Sequence, residues 1–313
     1  MHPIPLIADI DTDEHQLWLE SLNRVLPDQQ VVASEAIDDK QAESIEFAIV
    51  ANPTPAELRR FPNLKWVQSL WAGVEKMVSM AELAEIPIVR MKDPELARIM
   101  AEAVLTWTLY LHRQIPTYQR QQAQHTWKQH IYLPPSQKRV GVLGTGKLGR
   151  AAIATLLTSG FNVSAWSRSP KQIDRVDHFA GSDGLDRMLP HCDILIALLP
   201  LTAETHNLMD EHKLSRLKPG ASIINFARAP IFDYDALCRK LDEGHLDHAV
   251  LDVFNQEPLP DKSPLWSHPA VSVLPHISGP TDIGSASLIV QQNVQRYLQH
   301  GTLPDAVDYR RGY

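Results

Sequence analysis

The sequence predicts an α/β fold of two domains, a doubly wound parallel sheet inserted into a smaller α/β domain. Three observations predict it. The chain has 313 residues, 44% of them hydrophobic and 21% charged, which at roughly 150 residues per domain suffices for two cores. Short apolar runs alternate with helical patterns along the chain, the order that parallel sheets with covering helices require. A glycine turn at Gly144 opens a second series of such units, and one more helical pattern, Ser285 to Leu298, follows the last strand of that series. The chain ends are therefore expected to pack together as one domain, residues 1–95 and 285–313, around an inserted domain of residues 96–284.

In the first third, Ile4–Ala8, Phe47–Val50 and Leu64–Ser69 have strand character, separated by helical patterns such as Gln16 to Val25 and Ala56 to Arg60. Asp93-Pro94 then opens a long helix, since proline is tolerated in a first turn. Leu96, Ile99, Met100, Ala103, Val104, Trp107 and Leu111 recur along one face of it, a stripe that suits a core helix or a subunit contact. The stretch Gln119 to Lys138 is polar and carries Pro134-Pro135, so a connection is expected there. Arg139–Leu143 begins a new sheet. Its further strands are expected at Phe161–Trp166, Asp193–Leu198, Ala221–Phe226, His248–Phe254 and Val271–Leu274. Helices are expected after Gly146, around Leu208–Leu217 and around Asp233–Glu243.

Composition excludes several function classes. Lys and Arg number 30 against 37 Asp and Glu, a formal charge of −7 without a basic block, and nucleic-acid binding needs a concentrated positive surface. Only Cys192 and Cys238 occur, with no C-x-x-C, so packed thiols in a reducing, cytoplasmic setting are expected rather than disulfides or a thiolate zinc site. There is no H-E-x-x-H and no metal site is expected; there is no G-x-S-x-G beside a strand, which removes the usual hydrolase. The start lacks a basic n-region and is read as no signal peptide. No run approaches the roughly 18 apolar residues of a membrane span.

Gly144-Thr145-Gly146-Lys147-Leu148-Gly149 is G-x-G-x-x-G, placed directly between a strand and a helix. In that context the first glycine permits a tight turn, the second lets backbone approach a pyrophosphate and the third brings helix and strand close. The N–H groups and positive pole at the helix start then hold the phosphates. The pattern makes the inserted domain a Rossmann-type dinucleotide-binding sheet. About twenty residues on, a carboxylate would receive the ribose 2′-hydroxyl of NAD. This chain instead has Ser167-Arg168-Ser169-Pro170-Lys171, with Arg168 nineteen residues beyond Gly149. Cations and hydroxyls suit a 2′-phosphate, so NADP is expected over NAD.

Three polar residues each follow an apolar run of this second sheet: Arg228, Glu257 and His276. Strand ends of an open α/β sheet converge on the ligand crevice. A guanidinium can grip the carboxylate and carbonyl oxygen of a 2-oxo acid, and an imidazolium can deliver the proton that the carbonyl oxygen needs as hydride arrives. Glu257 would orient that ring. Singly, each has an ordinary alternative as a loop residue, and with 14 histidines in the chain a lone one proves little.

The ordered set Gly144-x-Gly146-x-x-Gly149, Leu199-Pro200-Leu201-Thr202, Ala227-Arg228, Leu251-Asp252-Val253-Phe254-x-x-Glu257-Pro258 and Pro275-His276 resembles the D-2-hydroxyacid dehydrogenases over nearly the whole chain. Within that family, Trp166-Ser167-Arg168, Asn255-Gln256-Glu257-Pro258-Leu259-Pro260, Ser263-Pro264-Leu265-Trp266 and Arg310-Arg311-Gly312-Tyr313 are similar to the glyoxylate/hydroxypyruvate reductase A group. The resemblance implies a flavodoxin-like substrate domain in two pieces, an Arg228/Glu257/His276 site, NADPH, small 2-oxo acid substrates and a homodimer built around the long helix near Glu95. It also implies cofactor contacts from Leu199, Pro200, Thr205, Phe226, Ala227, Arg228, Asp252, His276 and Gly279. Substrate contacts are implied for Trp71, Ala72, Gly73 and Val74 together with Arg228 and His276, the backbone N–H groups of Ala72, Gly73 and Val74 meeting the substrate's acid group.

The chain departs from the family pattern at Ala229, where glycine is usual, at Ser278 and Gly279-Pro280, and at Trp71, which is bulkier than the common glycine. A more restricted backbone at Ala229 and a narrower pocket at Trp71 are the corresponding expectations. A rival of another class keeps the same fold: a dinucleotide-sensing or corepressor-like module that reads cofactor state without turnover.

Overall fold

The structure is a computed structural model that describes residues 3–309; the terminal string 310–313 lies outside the described residues. The chain divides into two compact units, one formed by the described residues up to Glu95 together with those from Thr281 onward, the other by Leu96–Pro280.

The first unit holds a five-stranded parallel sheet of β1 (Ile4–Ala8), β2 (Val31–Ala33), β3 (Phe47–Ala51), β4 (Trp66–Ser69) and β5 (Ile88–Val89). The order β2-β1-β3-β4-β5 is that of flavodoxin. Both faces are covered, so β3 reads as an unbroken buried run, FAIVA, rather than alternating. On one face Trp18 and Leu22 of the first helix pack with Ala286, Val290 and Val294 of the last, Ile283–His300. Asn293 Nδ2 donates to the buried Gln68 Oε1 of β4 at 2.8 Å. The unit boundary falls four residues ahead of the expected 284/285 because Asp282 belongs to this packing. It caps the last helix through the Ser285 N–H, and the Ser285 hydroxyl also reaches Asp93.

The second unit holds seven parallel strands: β6 (Arg139–Leu143), β7 (Asn162–Ser167), β8 (Asp177–Ala180), β9 (Ile194–Ala197), β10 (Ala221–Asn225), β11 (Leu246–Leu251) and β12 (Val271–Val273). Their order is β12-β11-β10-β9-β6-β7-β8, the Rossmann order with one strand added at an edge. The long helix Pro94–His112 lays Met100, Val104 and Leu111 on one face of the sheet with Val140, Val142 and Ile196. The opposite face is covered by residues such as Leu185, Leu214 and Leu237. Among the described residues, no helix is long and apolar enough to cross a membrane.

Several features differ from expectation, among them the short strands β2 and β5, which were not anticipated. β11 ends at Leu251 rather than Phe254, because the Val253 carbonyl accepts from the Tyr234 hydroxyl instead of continuing the ladder. A helix, Ile115–Ala123, occupies part of the stretch expected to be a connection; Gln114, with φ +56°, breaks it from the long helix. The edge strand β8 and the helix Gly181–Met188 were not anticipated.

Candidate active site

Register places the site. Trp166, Leu143, Ala197, Asn225, Leu251 and Val273 stand in one row across the second sheet. Neighbouring strands are about 4.8 Å apart, so chain leaving these six positions emerges along one edge. Every candidate cofactor and catalytic residue of this unit lies just beyond that row, and the order reverses between β6 and β9, where open α/β sheets form their crevice.

At the end of β6 the glycines have separate reasons. Gly144 has φ +106°, and a Cβ there would stand 2.5 Å from the Leu198 carbonyl oxygen. At Gly149 a Cβ would meet the Gly144 carbonyl oxygen at 1.9 Å, so helix and turn touch without room for a side chain. Beyond Gly146 there is open space, and the helix Lys147–Thr158 has no side-chain cap on its first N–H groups. Thr145 Oγ1 is buried without a hydrogen-bond partner. An uncapped helix start, an open approach and an orphaned hydroxyl fit the diphosphate of a dinucleotide. Lys147 is exposed, while Leu148 packs toward the core.

At the end of β7, Ser167 Oγ lies 2.9 Å from the Ser169 carbonyl oxygen and 2.8 Å from His178 Nε2. His178 Nδ1 accepts the Lys171 N–H at 3.3 Å, which leaves Nε2 to donate to Ser167. Burial first, then the charge of Lys171, holds His178 below its ordinary pKa. Arg168 is exposed and paired with Glu204, and Lys171 Nζ lies 3.4 Å from the Thr145 carbonyl oxygen. After β9, Leu199 is buried and Pro200 exposed. Thr205 Oγ1 closes the turn by donating to the Pro200 carbonyl at 2.7 Å and accepting the Thr202 N–H at 2.8 Å.

After β10, Phe226 and Ala227 are buried, and Asn225 organises the turn that contains them. Its Oδ1 accepts the Ala227 N–H, and its Nδ2 donates to the Arg228 carbonyl and to the Tyr234 hydroxyl, which in turn donates to Val253. One buried amide and one phenol thus tie the Arg228 turn to the chain that leads to Glu257. Neither residue is among those singled out from sequence. Asn225 ends a strand buried at all five positions, where a polar side chain must find partners, and that was the available signal. Ala229 does not adopt a positive φ, so the restriction expected there does not arise.

Asp252, 2% exposed, accepts the N–H groups of Ile277 and Ser278 at 2.7 and 2.9 Å. It therefore holds the segment just after His276, whose own φ is +55°. Histidine tolerates that left-handed region better than most residues, and such conformations gather at functional sites. His276 Nδ1 lies 2.8 Å from Glu257 Oε2, and Glu257 Oε1 accepts the Phe254 N–H. The hydrogen bond to Glu257 holds His276 above its ordinary pKa against the opposing effect of burial; the charges of Glu257 and Asp252 add to it and that of Arg228 subtracts. Burial would raise Glu257, but bonds from His276 and Phe254 and the charges of His276 and Arg228 prevail and hold it below the usual range. Arg228, Glu257 and His276 thus feel one another's charge. Gly279 faces the long helix instead: a Cβ there would meet Met100 Cε at 2.8 Å.

In the first unit, the turn Trp71, Ala72, Gly73 and Val74 follows β4. Ser69 Oγ accepts the Trp71 N–H and donates to its carbonyl, and the Trp71 ring meets Trp18 edge-on at 6.1 Å. The bulk of Trp71 thus has a packing use in this unit's core.

Comparison with known proteins agrees with this architecture. The model of the D-isomer specific 2-hydroxyacid dehydrogenase NAD binding domain matches residues 105–278. A glyoxylate/hydroxypyruvate reductase A of Serratia proteamaculans is 36% identical over 305 residues, covering 95% of this chain and 96% of its own. A D-isomer specific 2-hydroxyacid dehydrogenase of Xanthobacter autotrophicus, solved with NADPH, superposes with a TM-score of 0.90 at 36% identity, each chain covered in full. An NADPH-dependent glyoxylate/hydroxypyruvate reductase of Sinorhizobium meliloti, solved with NADP and sulfate, gives 0.91 at 29% identity, again with both chains covered in full. The chain belongs to the D-isomer specific 2-hydroxyacid dehydrogenase family.

Proposed function

We propose that this protein reduces small 2-oxo acids such as glyoxylate and hydroxypyruvate to 2-hydroxy acids with NADPH. The observation that carries the reading is the His276–Glu257 pair at 2.8 Å beyond β12, within the field of Arg228. When bound, NADPH supplies the hydride. Glu257 holds the Nδ1 proton of His276, so Nε2 is the atom left to give a proton to the carbonyl oxygen as negative charge grows there. The raised pKa of His276 keeps more of it protonated near neutral pH. Arg228 binds the substrate through its oxygens and polarises the carbonyl. The N–H groups of Ala72, Gly73 and Val74 take the carboxylate, that of Trp71 being already bonded to Ser69 Oγ. Arg168, Ser167, Ser169 and Lys171 receive the 2′-phosphate, and the relatives solved with NADPH and NADP support that assignment. The working form is a homodimer.

The test is loss of NADPH absorbance on a panel of 2-oxo acids, with His276→Ala alongside. Turnover should fall about 10²- to 10⁴-fold in the variant, as for removal of a general acid, with NADPH affinity nearly unchanged. Cofactor binding without turnover on any 2-oxo acid would favour the sensing module instead.

A further inference from the structure

The cation assigned to the 2′-phosphate already has a partner. Arg168 Nη1 lies 2.8 Å from Glu204 Oε2, and the two side chains are 73% and 65% exposed. The pair joins the ends of two strands, 36 residues apart in sequence, and both ends are held firmly. Ser167 is bonded to Ser169 and His178, and the turn carrying Glu204 is closed by Thr205, which is 9% exposed. We infer that Glu204 is a specificity-setting residue, a carboxylate that pairs with Arg168 and competes with the cofactor's 2′-phosphate for it. The inference rests on the reading that Arg168 receives that phosphate, and it concerns how strongly NADPH is preferred over NADH.

A phosphate monoester carries about −1.5 to −2 charges at pH 7 and three acceptor oxygens, so it displaces a single carboxylate from an exposed guanidinium. A ribose 2′-hydroxyl carries no charge and leaves the pair intact. Glu204 therefore opposes binding only of the phosphorylated dinucleotide, by releasing its partner and by repelling the incoming anion. Lys171, close to the glycine turn, supplies attraction that Glu204 does not offset directly. The preference for NADPH is thereby moderated.

The experiment is calorimetric titration with two probes that differ only in this phosphate, 2′,5′-ADP and 5′-AMP. Glu204→Gln keeps the shape and removes the charge. It should tighten 2′,5′-ADP about two- to fivefold at low salt, the range an exposed ion pair spans, and leave 5′-AMP unchanged. The gain should shrink at about 1 M salt, where the screening length is roughly 3 Å. In an Arg168→Ala background the same change should have much less effect, since its partner is gone. The inference is overturned if Glu204→Gln moves both nucleotides alike, moves neither, or acts undiminished without Arg168. Weakened 2′,5′-ADP binding in Arg168→Ala beside a silent Glu204→Gln removes this inference alone. Wild-type 2′,5′-ADP affinity in Arg168→Ala removes the phosphate assignment as well.

Discussion

His276 shows how a residue's chemistry depends on neighbours it does not meet in sequence. Its ring is bonded to a carboxylate nineteen residues earlier, while the backbone after it is held by another, Asp252. These contacts set the sign of its pH dependence. A pKa raised by Glu257 means that His276, the proposed proton donor, stays protonated at low pH and loses its proton as pH rises through the raised value. The reduction rate should therefore be flat at acid pH and fall on the alkaline side. Replacing Glu257 with Gln removes the charge and should move that fall toward lower pH, as read from kcat against pH. An unmoved profile would remove Glu257 from the proton chemistry. At this scale Arg228, Glu257 and His276, the charged members of the proposed site, could be singled out because each follows an apolar run. The parts played by Asn225 and His178 were not readable beyond the polar residue that ends an apolar run at Asn225, because they are hydrogen bonds to chain segments 9 and 11 residues away, and sequence spacing carries no such geometry.

Between elements, the coupling runs through Tyr234. Its hydroxyl accepts from Asn225 at 3.0 Å and donates to the Val253 carbonyl at 2.7 Å, bridging the loops after β10 and β11. Burial comes first among the causes that push the phenol's pKa well up, so it stays protonated as a donor. Tyr234→Phe should cost about 1–3 kcal/mol of stability by leaving the Val253 carbonyl unpaired. It should also lower kcat while leaving 2′,5′-ADP affinity unchanged, because the phosphate assignments lie on other strands. Equal loss of both would mean general loosening rather than a bridge between two loops of the proposed site. Elements differed in legibility for a related reason. Arg139–Leu143 and Ala221–Asn225 are five-residue runs that are mostly or wholly buried and stand out in the sequence. β2 has three residues, β5 two, and β8 is exposed or partly exposed throughout. Short or edge strands bury too little to leave a pattern. The helix Gly181–Met188 begins on glycine and has another at Gly184, so its propensity is poor, and packing of Leu185 and Met188 carries it.

For the whole molecule, the surface of the second unit is where self-association would show. Trp127 is 95% exposed and Ile131 85%, both in the irregular chain after the helix Ile115–Ala123. Large apolar side chains grouped on a surface mark contact sites, whereas single exposed ones need no account. Leu109, Ile115 and Tyr118 on the adjoining helices are also exposed, so the apolar surface is carried by consecutive stretches of one unit. The core of that unit is already closed by Met100, Val104 and Leu111 on the long helix, and Trp127 and Ile131, almost wholly exposed, add little to its folding. Light scattering coupled to size exclusion should give about twice the 35.2 kDa of one chain. Trp127→Ser with Ile131→Ser should shift the population toward single chains while melting of the second unit changes little, since surface substitutions usually stay within about 0.5 kcal/mol. A wild-type protein that elutes as a single chain at all concentrations would remove the homodimer. A double variant that remains dimeric would move the contact away from this segment.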